Sequence, residues 1–148
     1  MKRDDPMLDA ALFALRLIAG LIMFYYGCQK FFGLFGGMGF VATIEMFRTK
    51  MGIPNVMGVL AILAEFLGGL GLLFGLITRV AAFGLLSTML VATFIKVKGM
   101  QTWVATADVP NPIMDPGYPL LIGVIALALM LTGAGKWSLD QKFFGKRR

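Results

Sequence analysis

The chain has 148 residues, 58% of them hydrophobic and only 15% charged, with a mean hydropathy of +0.81; a water-soluble core of this size could not hide that much apolar surface, so lipid must cover the rest. With no histidine and a single cysteine, Cys28, the polypeptide lacks the usual ligands for zinc, copper and haem iron and lacks a dithiol pair, so it is expected to hold no metal and to run no disulfide chemistry alone; Cys28 reads as a helix residue. The net charge of +6 lies mostly in tails and loops beside apolar runs, which points to anionic headgroups and topology control rather than to nucleic acid.

Four apolar runs predict an all-α fold, a four-transmembrane-helix bundle in one domain over residues 1–148. The first run covers 10–32. It reads as a retained span rather than a signal peptide: Asp4, Asp5 and Asp9 dilute Lys2 and Arg3, Arg16 interrupts the apolar stretch, and no A-x-A site follows. The connection 33–55 opens with closely spaced glycines, then places Phe40, Ile44, Phe47 and Met51 at spacings of 4, 3 and 4. That stripe predicts a short amphipathic helix lying in the membrane interface, stopped by Gly52-Ile53-Pro54-Asn55.

The second run is 56–77 and the third 80–97, joined by a tight turn at Thr78-Arg79 that forces antiparallel neighbours and makes Arg79 the anchor of that turn. The loop 98–117 carries Pro110, Pro112 and Pro116 and reads as irregular. Trp103 and Tyr118 suit the aromatic belt at a membrane surface. The fourth span is assigned to 118–134; its core, 118–132, is short against the roughly 20 residues of a crossing, unless the helix begins near 113 or runs on to 134.

Four crossings put both termini on one side. That side carries Lys2, Arg3, Arg79, Lys136, Lys142, Lys146, Arg147 and Arg148, against Lys30, Arg48, Lys50, Lys96 and Lys98 on the other. The excess of positive charge predicts cytoplasmic termini.

Charges inside spans are costly and are usually paired or functional. Arg16, Gly20, Met23, Gly27 and Lys30 recur at helical spacing along the first span, and Gly58, Ala61, Glu65, Gly68 and Leu72 along the second. Joining these faces would bring Glu65 near the cations. At about 1.5 Å rise per residue, Arg16 and Glu65 differ in depth by about 8 Å in a core of about 30 Å. Helical side chains lean toward their own N-terminus, so Arg16 leans outward while Lys30 leans toward Glu65. Lys30–Glu65 and Arg16–Glu65 both remain open as pairs. Such a centre serves as a register-fixing ion pair, as a site for an anionic or quinone-like ligand, or as a proton relay through Glu65. Gly71-x-x-x-Gly75 matches a close-packing motif. No phosphate loop, nucleophile elbow or zinc spacing is found.

In order along the chain stand Arg16-Leu17 with Gly20; Gly27-Cys28-Gln29-Lys30-Phe31-Phe32-Gly33; Glu65-Phe66-Leu67-Gly68-Gly69; Gly75-Leu76-Ile77-Thr78-Arg79; and Gly133-Ala134-Gly135-Lys136-Trp137-Ser138-Leu139-Asp140. This ordered set resembles the DoxX family of small four-helix membrane proteins. The sequence departs from the family where Gly117-Tyr118 is followed by Pro119 instead of a glutamate, and where the third span ends without a histidine. The resemblance implies a multi-pass protein of the bacterial cytoplasmic membrane. Some relatives are subunits of thiosulfate:quinone oxidoreductases and others belong to oxidative-stress complexes. It thus implies an accessory subunit for quinone-linked or thiol redox chemistry, working with other redox or membrane subunits, with no cofactor bound by this chain alone and a quinone as the ligand class it could take. A non-catalytic scaffold, a homo-oligomer and a small carrier with its polar centre at Glu65 are the alternatives.

Overall fold

The structure is a computed structural model describing residues 6–104 and 116–144, with side chains described except at 99–104. Lys2, Arg3, Pro110, Pro112, Lys146, Arg147 and Arg148 lie outside the described residues. Six α-helices follow in order: α1 Pro6–Phe32, α2 Gly39–Met51, α3 Asn55–Phe74, α4 Thr78–Val104, α5 Gly117–Thr132 and α6 Leu139–Phe144, with a 3-10 turn at Leu34–Gly36 after α1. Three of them, α1, α3 and α4, are long and apolar enough to cross a membrane, and α5 is a shorter apolar helix. The architecture is the all-α membrane bundle expected. At 16 residues, α5 reaches about 24 Å, short of a 30 Å core. The third helix runs further than expected: α4 continues to Val104, so the segment from Lys98 to Val104, read from the sequence as the start of an irregular loop, is helical.

Local chemistry sets the helix ends. Pro6 opens α1, where a missing N–H costs nothing, and Pro54 precedes α3. At the end of α3 the chain enters the left-handed region at Gly75 (φ 63°), with the Gly75 N–H bonded to the Leu72 carbonyl and the Leu76 N–H to the Gly71 carbonyl. These crossed bonds close the last turn of α3 and satisfy its orphan carbonyls. Ile77 then takes φ 47°, which is unfavourable for a β-branched residue.

Around the bundle, α1 packs on α3, α3 on α4 and α4 on α5, while α5 touches α1 only lightly. The core is formed by Leu12, Ala19, Met23, Leu72, Leu85, Met89, Ile122, Ala126 and Leu129. Large apolar side chains face outward on every long helix, among them Ile18, Leu60, Phe83, Phe94 and Leu121. Lipid is the natural cover for such a belt.

Lipid tails are as apolar as leucine, so helices here hold together by close packing rather than by escape from water. Gly27 lets α1 approach until a Cβ there would stand 2.5 Å from the Phe66 Cα, and Gly69 lets α3 approach until its Cβ would meet the Phe24 nitrogen at 2.5 Å. Gly20 faces Leu73 in the same way. The α1–α3 contact is therefore backbone against backbone. It uses Phe66 and Gly69 rather than Gly68, whose missing side chain faces Leu85 of α4. Nor does Gly71-x-x-x-Gly75 act as one packing face: Gly71 abuts Ala81 of α4, and Gly75 ends the helix.

The amphipathic helix is present as α2, folded back on α1 and α3 with Thr43 and Phe47 buried. Ile44 and Phe47 cover Gly58 of α3. The expected stripe faces inward, with Phe47 buried and Phe40 and Ile44 partly so, except that Met51 at its end is exposed.

Candidate functional site

The sequence marked Arg16, Lys30 and Glu65 as one polar centre; the structure separates them into two. Toward the far end of α1, Lys30 Nζ meets Glu65 Oε2 at 2.5 Å and Oε1 at 2.6 Å. The glutamate side chain is 6% exposed and the lysine 28%. The close approach of Gly27 to Phe66 sets this geometry, since it lays the last turn of α1 across the middle of α3. Phe31 stacks on Phe66 at 5.4 Å, Phe24 stacks on it at 5.5 Å, and the Lys30 ammonium lies 5.8 Å from the Phe47 ring of α2. A doubly hydrogen-bonded ion pair in a rim of aromatic faces has little need of water to hold its charge. Thr43, almost wholly buried on α2, has no hydrogen-bond partner for its hydroxyl among the described residues.

Arg16 goes the other way. It is 1% exposed, and its guanidinium donates to the Trp137 carbonyl and lies against Gly75 so closely that a Cβ there has no room. The Arg16–Glu65 alternative is thus not what forms, because the helical lean carries Arg16 toward the N-terminal end of α1 and away from Glu65. Asp140 is the acidic neighbour of Arg16. Its carboxylate accepts from the Ile77 N–H at 2.6 Å and the Thr78 N–H at 2.8 Å, while its own N–H donates to the Gly75 carbonyl at 2.8 Å. Asp140 therefore caps α4 from the C-terminal segment and clasps the α3–α4 turn. Buried Asp9 accepts the Lys136 N–H at 2.9 Å, and the Lys136 ammonium stands 4.0 Å from the same carboxylate. Asp9 and Asp140 are functional-looking residues that composition alone did not single out, since each acts on backbone from far along the chain.

The remaining marked residues fall as follows. Arg79, second residue of α4 and exposed, reaches the Leu131 carbonyl at 3.5 Å, long for a hydrogen bond but well placed to put positive charge on the C-terminal end of α5. Trp103 lies in the last turn of α4, and its side chain is outside the described residues. Tyr118 opens α5, its hydroxyl 3.8 Å from the Met23 sulfur and its ring 5.5 Å from that of Tyr26. Pro119, at the position of the missing glutamate, is buried in the first turn of α5.

Comparison with known proteins supplies the frame for this geometry. The DoxX family profile matches residues 11–99, well over half of the chain. The chain belongs to the DoxX family. Two relatives align over nearly the full length. The Bacillus subtilis (strain 168) protein CatD, provisionally named an oxidoreductase, is 33% identical over 134 residues, covering 90% of this chain and 87% of its own. The Escherichia coli (strain K12) inner membrane protein YqjF is 27% identical over 134 residues, covering 90% and 92%. No solved structure is a significant match. The DoxX profile ends before the clasp residues Lys136–Asp140, but takes in Arg16, Lys30, Glu65 and Arg79.

Proposed function

We propose that this DoxX protein is an accessory subunit of the bacterial cytoplasmic membrane, termini inside, that supports quinone-linked or thiol redox chemistry carried out with partner proteins. Its family, together with a relative whose name carries oxidoreductase activity, supports this assignment. The observation that carries it is the Lys30–Glu65 pair: a buried carboxylate held by an ammonium that keeps 28% of its side chain exposed, just inside the far surface. Such a pair can exchange a lysine hydrogen bond for one to a ligand carbonyl without leaving the glutamate in lipid unpartnered. A quinone, when bound, supplies the two-electron carrier; this chain contributes the polar groups that hold its head. Glu65→Gln is expected to weaken quinone binding while leaving membrane insertion intact. Purification in mild detergent, with mass spectrometry of co-purifying proteins and quinones, checks both halves. Parental quinone retention in Glu65→Gln rules out the ligand role.

A second assignment, a scaffold without ligand, is favoured by the tightness of the same contact, with both carboxylate oxygens within 2.6 Å of the ammonium. The exchanged pair Lys30→Glu/Glu65→Lys separates the two. Restored accumulation with restored partner capture and no change in bound quinone supports the scaffold; restored accumulation with lost quinone supports the subunit.

A further inference from the structure

The chain has three tyrosines, and all three line one opening. Tyr25, Tyr26 and Tyr118, with Leu21 and Ile22, line an open groove of about 450 Å³ on the outer face of the bundle. It lies where α5 meets α1, the slightest of the contacts around the bundle. Tyr25 meets Tyr26 edge-on at 5.6 Å, and Tyr26 leans on Tyr118 at 5.5 Å. Among the described residues the hydroxyls of Tyr25 and Tyr26 make no hydrogen bond, and that of Tyr118 reaches only the Met23 thioether, a weak acceptor.

Depth makes these hydroxyls unusual. Tyr26 stands six residues before the end of α1, about 9 Å below that end at 1.5 Å per residue. A single tyrosine there would belong to the interfacial belt, its hydroxyl turned to headgroups. Three phenols gathered on one gap present several donors where lipid tails offer no acceptor, which is costly unless something accepts from them. No charged side chain lines the gap, so a zwitterionic or anionic headgroup finds no counter-charge. A flat, neutral head with carbonyl acceptors fits both the donors and the aromatic walls. A larger cavity of about 600 Å³ between α3 and α4, walled by Leu67, Gly71, Phe74 and Ala81 among others, offers no comparable donor and serves as the internal control.

We propose that the α1–α5 seam binds a lipid-borne ligand with a neutral, carbonyl-bearing ring head. The Tyr26 and Tyr118 hydroxyls donate to the head, and the apolar tail stays in the bilayer. This rests on the quinone-linked assignment above and gives it a location.

The test uses the full chain in nanodiscs and a decyl-tailed benzoquinone bearing an aryl azide, photolysed and mapped by peptide mass spectrometry. Labelling is expected within 21–26 and at the start of α5, suppressed by excess unlabelled decyl-benzoquinone. The Tyr26→Phe/Tyr118→Phe double variant, which keeps both rings, is expected to need about ten times more probe for half-saturation. Suppressible labelling concentrated at the α3–α4 cavity instead overturns the seam but leaves quinone binding standing. Labelling that excess quinone does not suppress anywhere overturns both. Equal affinity in the double variant reduces the tyrosines to belt residues and overturns the proposal.

Discussion

Glu65 is tolerable in the middle of α3 only because Lys30 covers it, and the two partners are not equivalent. With 28% of its side chain exposed, Lys30 can turn its ammonium toward headgroups if the acid is lost. Glu65, at 6%, has nowhere to go. Removing one member of a buried pair costs about 3–5 kcal/mol, whereas replacing both by apolar residues is often neutral. Lys30→Met is therefore expected to destabilise by about 2–4 kcal/mol and Glu65→Gln by about 1 kcal/mol, with Lys30→Met/Glu65→Met close to the parent. Thermal unfolding in detergent measures all three. Equal losses in the two single variants would mean that both groups are equally confined. This pairing was legible in the sequence because both residues lie inside spans and helix direction aims one at the other. Arg16 was only half legible. Its departure from Glu65 follows from the lean of its helix, but its partner, the Trp137 carbonyl, is a backbone atom 121 positions away that no residue type announces.

The elements are held by contacts of two kinds. Between α1 and α3 the determinant is the lack of side chains. Gly27→Ala would place a Cβ 2.5 Å from the Phe66 Cα, an obstacle that cannot rotate away, whereas the same change at Gly84 meets only the Ala64 Cβ at 3.4 Å, an ordinary contact. Gly27→Ala is expected to cost about 1–3 kcal/mol by pushing the helices apart, and with them Lys30 from Glu65; Gly84→Ala should be near neutral. Parallel melts of the two variants decide this. Between α3 and α4 the determinant is Asp140. Asp140→Ala removes the acceptor of two N–H groups and should cost about 0.5–2 kcal/mol. Hydrogen exchange should quicken first at Ile77 and Thr78; unchanged exchange there would show that water replaces the carboxylate fully. Helix positions and the amphipathic α2 could be read from periodicity. The length of α4 could not, since no proline or glycine pair stops a helix at Lys98.

For the molecule as a whole, the contact of Asp9 with Lys136 puts the two ends of the described chain on one face, as a four-span topology requires. Cysteines introduced near residues 7 and 142, in a Cys28→Ala background, are therefore expected to react with an impermeant maleimide from the same side of intact cells or inverted vesicles. On the proposed topology the positive-charge bias predicts that this side is the cytoplasm. Opposite reactivity of the two ends would break the four-span topology. The belt of outward apolar residues explains why composition alone announced a membrane protein. Composition could not announce which seam is loose, because that depends on how α5 is tethered.

The clasp at Asp140 also has a consequence in time. Ile77 and the acid that supports its unfavourable backbone are 63 positions apart, so the ribosome delivers the turn well before its fastener. While α5 is being threaded into the bilayer, the α3–α4 hairpin waits unlatched, and it closes only once the segment carrying Asp140 has been made. A message truncated just short of Asp140 would yield a chain already inserted yet never locked, and so a substrate for membrane proteases rather than a stable membrane protein.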